Sequence, residues 1–242
     1  MSVLPAATDV ARLERRLRRR FRTCETAVEV AGRRLTILHP ASAEDLISED
    51  DFERDERLPY WAELWPSARV LAAHLAGSEG AGRTLVELGC GSGLVTAAAL
   101  VAGFSVTATD YYEDALRFTR VNGWRASGRE PETRIADWRA LPAALPRAEL
   151  VVGADVLYER PYGPLVARAL ARTLLPDGLG IIADPGRVAV EAFVSALPAE
   201  GLRLTAREAV PYKDGAVRQT ITLLVVRTAR RAAPAPRARR AG

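Results

Sequence analysis

Among its 242 residues the chain has two cysteines, two histidines, one methionine and a single lysine, Lys213. Cys24 and Cys90 are too few for a disulfide framework, and His39 and His74 show no ligand spacing that would announce a metal site. No apolar run approaches the roughly 18 residues needed to cross a bilayer. Arginines begin where the h-region of a secretory signal would start. The expectation is therefore a soluble, cytoplasmic protein with no membrane partner and no metal. Aromatic residues make up only 6%, so any cluster of them stands out. What is present in quantity is apolar surface: 48% hydrophobic residues can fill a complete core, and the length is generous for one α/β domain.

With one lysine, the other 33 of the 34 basic residues are arginines, and they are unevenly placed. Residues 1–22 carry seven Arg against Asp9 and Glu14, and residues 227–242 carry six Arg and no acid. Subtracting +5 and +6 from the net charge of +4 leaves −7 for residues 23–226. The body is acidic and the ends are basic. Codon bias toward arginine and attraction of nucleic acid or an acidic partner both account for such ends; nucleic-acid binding through them is possible but not the favoured reading.

Residues 84–110 are the stretch around which the rest is organised. A short apolar strand (Thr84 to Leu88) leads into Gly89, Gly91 and Gly93, then an alanine-rich buried helix, then a second strand ending on Asp110. This is the first half of a nucleotide-type βαβ unit. Dinucleotide sites space their glycines G-x-G-x-x-G to seat a pyrophosphate on the helix N-terminus. Here the spacing is G-x-G-x-G, and the acid Glu87 stands two residues before the first glycine, where it would repel a phosphate. It suits a cation. S-adenosylmethionine, with a sulfonium, an ammonium and no phosphate, fits both features, and Asp110 can accept hydrogen bonds from its ribose hydroxyls.

Around this stretch, Thr8 is a candidate N-cap for a helix to about Arg22, with Val10, Leu13, Leu17 and Phe21 on one face. Thr26 to Val30 and Arg33 to Leu38 alternate across Ala31-Gly32 and read as a β-hairpin, with His39 as a turn residue before Pro40. Ser42 to Arg57 holds eight acids against two arginines, either a solvated face or an acidic lip. Three aromatics follow in Pro59-Tyr-Trp-Ala-Glu-Leu-Trp-Pro66, and Pro66 can open a helix. The indole of Trp65, beside the cofactor half-site, could cover a sulfonium by a cation–π contact. Further strands are expected at Thr133 to Ala136, Leu150 to Ala154 and Leu179 to Ala183, with helices over about Glu113 to Asn122, Gly163 to Thr173 and Val188 to Leu197. A closing antiparallel pair, Leu202 to Ala209 with Gln219 to Val226, ends the fold.

The acid-flanked glycine turn resembles the first motif of class I S-adenosylmethionine-dependent methyltransferases. Four islands narrow the likeness: Pro59-Tyr-Trp-Ala-Glu-Leu-Trp-Pro66, Glu87-Leu-Gly-Cys-Gly-Ser-Gly-Leu-Val95, Gly153-Ala-Asp-Val-Leu-Tyr158 and Asp184-Pro-Gly-Arg187. Together they resemble the family-16 protein-lysine methyltransferases, the first and fourth especially the branch acting on the electron-transfer flavoprotein β subunit, whose bacterial members are also associated with ribosomal stalk proteins. The resemblance implies an α/β fold with a Rossmann-like seven-stranded sheet, mostly parallel with one antiparallel strand, preceded by the N-terminal helix and hairpin. It implies a methyltransferase domain over 58–227, after an N-terminal segment (1–57) of basic helix, hairpin and acidic stretch; the composition of the Arg/Ala/Pro tail (228–242) reads as disordered. Asp137 and Trp138 would meet the adenine, with Ala154 on the cofactor side. Asp155 would hold the acceptor amine and Tyr158 would shape its channel. The implied substrate is a protein lysine. A small-molecule N- or O-methyltransferase is the alternative, followed by an RNA-directed enzyme or a non-catalytic RNA-binding protein; a base-methylating enzyme would ordinarily carry a Pro-Pro after strand four, which Ala154-Asp-Val-Leu-Tyr158 lacks.

Overall fold

A computed structural model describes residues 5–46 and 59–229. Most of the acidic stretch (47–58) and nearly all of the Arg/Ala/Pro tail (230–242) lie outside the described residues. In chain order the elements are α1 (Pro5–Arg20), β1 (Thr23–Val30), β2 (Arg33–Pro40), α2 (Pro66–Ala76), β3 (Thr84–Leu88), α3 (Leu94–Val101), β4 (Ser105–Asp110) and α4 (Glu113–Ser127). β5 (Glu132–Ile135), β6 (Ala148–Ala154), α5 (Tyr162–Thr173), β7 (Leu174–Asp184), α6 (Val190–Ala196), β8 (Leu202–Asp214) and β9 (Val217–Thr228) follow.

Seven strands form one sheet in the order β5-β4-β3-β6-β7-β9-β8, and β9 alone runs antiparallel to its neighbours. β1 and β2 make a separate hairpin. The inner strands are apolar on both faces, as a sheet covered by helices requires. Leu85, Leu150, Val152 and Ile181 pack with α2, α3 and the hairpin. Val86, Val151 and Ile182 point the other way, onto α5 and α6.

Differences from the sequence reading fall mainly at element ends. Thr8 lies inside α1, which starts at Pro5, a residue whose fixed φ suits a first helical turn. α4 continues past Asn122 to Ser127 and stops at Gly128, in the left-handed region at φ 70°. β7 starts at Leu174, directly after α5; β8 starts at Leu202 as expected but runs on to Asp214, and β9 extends from Val217 to Thr228. His39 is a strand residue of β2, paired in register with Cys24, because the residue before a proline favours extended backbone.

α1 does not offer its apolar stripe to a surface. Val10 and Leu17 are buried with Leu38, Phe118 and Val121, joining α1 and the hairpin to α4. Asn122, fully buried, fastens the hairpin further. Its side-chain oxygen accepts from the Leu38 amide (2.8 Å), and its Nδ2 donates to the carbonyls of Leu38 (2.7 Å) and Ser92 (2.7 Å). Val10→Ala removes two buried methyl equivalents and should cost about 1.6 kcal/mol of stability, read as a lower denaturation midpoint at unchanged slope.

Candidate functional site

The parallel strands β3, β4 and β6 end on a common edge, where an open α/β sheet places its ligand. A cleft, open to solvent at its mouth, lies there. All eleven site residues expected from the sequence line it: Trp65, Glu87, Gly89, Gly91, Gly93, Asp110, Asp137, Trp138, Ala154, Asp155 and Tyr158.

The glycine turn is held by contacts that leave no room for side chains. Gly93 begins α3 at φ 86°, and a Cβ there would fall 2.6 Å from the Thr119 Cα. At Gly91 (φ 53°) a Cβ would sit 3.0 Å from the Trp61 carbonyl oxygen. Asp110 clamps the turn from β4: its Oδ2 accepts from the Gly91 amide (2.9 Å) and its Oδ1 from the Tyr112 amide (3.0 Å). Glu87 is buried beneath the turn, its Oε2 accepting from the Thr96 hydroxyl. Burial pushes the Glu87 carboxyl up to about 8, against the Thr96 hydrogen bond, with the Asp110 charge adding to the rise. Burial likewise raises Asp110 to about 6, opposed by its backbone hydrogen bonds.

On the far wall, Asp137 is engaged by the Arg139 amide (2.9 Å) and guanidinium. The Trp138 indole meets Tyr162 edge-on, and its buried Nε1 has no partner. Tyr158 stands between Tyr60 and Tyr162, with ring centroids at 5.2 and 4.9 Å; burial and then Tyr162 push its hydroxyl well above the usual phenol range. Asp155, at the end of β6, adopts φ 58°, a sparsely populated region for any residue but glycine. Its Oδ1 accepts from Arg187 Nε at 2.7 Å, and its Oδ2 is buried without a partner. The Arg187 guanidinium also lies over the Trp65 ring, 5.2 Å from its centroid.

Six acidic side chains (Glu63, Glu87, Asp110, Asp137, Asp155 and Glu159) and no basic side chain line the cleft among the described residues. Such a wall attracts cations and repels phosphates. Among the described residues, no three His, Cys, Asp or Glu side chains are grouped as a metal ion would need.

A protein-family model described as lysine methyltransferase matches residues 51–190. The chain belongs to the lysine methyltransferase family. It is 35% identical over 173 residues to the ribosomal protein L11 methyltransferase of Pseudomonas paraeruginosa, covering 67% of this chain and 55% of that one. It is 29% identical over 137 residues to the electron transfer flavoprotein beta subunit lysine methyltransferase of Danio rerio, covering 55% of this chain and 52% of that one. The chain thus spans about half the length of these relatives. Among solved structures, the methyltransferase SMU.776 complexed with SAH superposes with a TM-score of 0.58 at 10% identity, over 84% of this chain and 55% of that one. A TehB-like SAM-dependent methyltransferase from Corynebacterium glutamicum gives 0.52 at 17% identity, over 69% and 89%. These likenesses are of fold, that of a Rossmann-like methyltransferase.

The residues present in this lysine methyltransferase family member fit S-adenosylmethionine. A cradle that only glycine can line, a buried acid below it, a second acid beside it and an indole N–H without a partner are the donor and acceptor set that a cationic nucleoside requires. Asp110→Asn keeps an acceptor for one of the Gly91 and Tyr112 amides, sets an NH2 group against the other and removes the charge. S-adenosylhomocysteine affinity should fall about tenfold by calorimetry, as for one weakened charge-assisted hydrogen bond.

The main residue that the sequence reading missed is Arg187. It was visible within Asp184-Pro-Gly-Arg187, but nothing local tied it to Asp155, 32 residues earlier. The available signal was topological: Ala154 pairs with Ala183 on neighbouring parallel strands, so whatever follows each strand meets at the sheet edge. Tyr60 and Tyr162 were missed for the same reason; their partners come from distant segments.

Proposed function

We propose that this protein is an S-adenosylmethionine-dependent N-methyltransferase acting on lysine side chains of a protein substrate. The observation that carries the reading is Asp155: a buried, backbone-strained carboxylate with an unpartnered oxygen, on the wall of a cleft whose other end fits the cofactor. The family to which the chain belongs supports the same reading, as do the names of its relatives, with an electron-transfer flavoprotein subunit or a ribosomal protein as the first substrates to try. A cytoplasmic setting goes with either.

Methyl transfer needs alignment, exclusion of water and a neutral acceptor, and positioning alone can lower the barrier by several kcal/mol. Bound in the cleft, S-adenosylmethionine supplies a methyl group on a positively charged sulfur that leaves as a neutral thioether. Glu87 would hold the cofactor's ammonium, Asp110 its ribose hydroxyls, and Trp138 its adenine edge. Tyr60, Tyr158 and Tyr162 exclude water from the acceptor side. Asp155 would accept a hydrogen bond from the acceptor amine and hold its lone pair in line.

The test is incubation of the protein and methyl-labelled S-adenosylmethionine with a cell lysate, followed by acid hydrolysis and amino-acid analysis. Label in methyllysine of a protein fraction is expected. Label released by ribonuclease, or confined to small molecules, would overturn the reading. Since Lys213 is the only lysine in the chain, self-labelling would trace to one residue and is easily subtracted.

A further inference from the structure

Asp155 does not face the cleft as a bare charge. The turn after β7 is built to bring a guanidinium to it. Asp184, fully buried, accepts from the amides of Gly186 (2.7 Å) and Arg187 (2.6 Å) through one oxygen. Gly186 takes φ 97°, and the chain reverses so that Arg187 Nε reaches Asp155 Oδ1 at 2.7 Å. The guanidinium also lies over the Trp65 ring. The pair is thus packed, with Asp155 at 4% side-chain exposure and Arg187 at 36%. The other ionisable groups near Asp155 are Asp184 from β7, Glu63 and Tyr60 from the segment before α2, and Tyr158, Glu159 and Tyr162 from its own loop and α5; Glu87 and Asp110 lie along the same cleft. Apart from the tyrosines all are acids, and Arg187 is the cation paired with Asp155 among the described residues.

We propose that Arg187 is a positioning residue: by compensating Asp155 from behind, it lets that carboxylate hold the acceptor amine in its neutral, nucleophilic form. This rests on the lysine reading above. An isolated carboxylate stabilises the ammonium, which has no lone pair to attack with. Paired with Arg187, Asp155 keeps Oδ2 as a hydrogen-bond acceptor but contributes little net charge, so the amine gives up its proton to water more readily. The nitrogen lone pair would then form the N–C bond as the methyl group's bond to the sulfonium sulfur breaks, the electron pair leaving with sulfur as neutral S-adenosylhomocysteine, and the methylated ammonium would release its second proton to water in the same way.

The experiment needs no identified substrate. N-methyl-n-butylamine, ¹³C-labelled on its methyl group, serves as a lysine side-chain probe for the full chain saturated with S-adenosylhomocysteine, and the methyl shift is followed against pH. The midpoint of the bound amine in the wild type is the reference. R187Q should raise the bound value by about one unit and bind the ammonium more tightly at pH 7. R187K, which keeps a positive charge, should stay near the wild type. Equal bound values in wild type and R187Q would overturn the role of Arg187 while leaving the lysine reading intact. A wild type that binds no amine would overturn that reading and this inference with it. Loss of S-adenosylhomocysteine affinity in R187Q would make Arg187 a structural prop and overturn the proposal.

Discussion

Replacing Glu87 with glutamine should make the ligand-free protein more stable at pH 8 while weakening its hold on S-adenosylmethionine. Glu87 has its ordinary value of 4.5 in the unfolded chain and about 8 in the fold. A carboxyl raised by folding contributes stability fully below the unfolded value and loses it as pH rises through the folded one. Between about pH 4.5 and 8 the wild type therefore falls behind the Glu87→Gln variant by up to about 1.4 kcal/mol per pH unit, and by on the order of 3 kcal/mol in all once the site relaxes. Asp110, raised to about 6, loses stability in the same direction but does so in both proteins. For a chain of this length the gap at pH 8 corresponds to roughly 6–12 °C in Tm. It should shrink toward zero near pH 4.5 and stop growing above pH 8. Thermal melts of the two proteins across that range are the measurement. A gap independent of pH would mean that Glu87 is ionised in the free protein, and stronger S-adenosylmethionine binding by the variant would remove Glu87 from the cofactor site.

The largest catalytic effect is expected at Asp155. Asp155→Asn preserves shape and still offers Arg187 an acceptor, but the side chain can no longer balance the guanidinium beside the incoming amine. We expect kcat/KM on the methyl acceptor to fall on the order of a hundredfold, about 2.7 kcal/mol, with S-adenosylhomocysteine affinity nearly unchanged. Full activity in the variant, or outright loss of cofactor binding, would contradict the acceptor-side role.

These residues also mark what could be read from the chain and what could not. The cofactor half of the site is local. Glu87, the glycines and Asp110 fall within one βαβ unit, where spacing dictates geometry, and their identity as a cation-seeking set was legible from the residues alone. The sheet was legible too, because strands buried on both faces leave continuous apolar runs. The ends of elements were not: whether a helix stops at Asn122 or at Gly128, or a strand starts at Leu174 or Leu179, is decided by packing against distant neighbours. His39 illustrates the same point, since its place in β2 follows from its partner Cys24 and not from the adjacent Pro40 alone. The acceptor half is assembled from residues 60–65, 155–162 and 187. Asp155 and Tyr158 could be suggested from a motif, but the pairing of Asp155 with Arg187 is a product of strand order.

The seat of Val10, Leu17 and Leu38 on α4 has a consequence for biosynthesis. Translation delivers α1 and the hairpin before α4, and Phe118, Val121 and Asn122 lie about 80 to 110 residues further along. At roughly 5–20 residues per second, those early segments wait several seconds at the ribosome with their apolar faces uncovered and the Leu38 amide and carbonyl lacking the side chain that will bond them. The protein is therefore most exposed to chaperones, proteases and aggregation before its catalytic unit exists, and slower decoding of residues 40–127 would lengthen that window without altering the finished molecule.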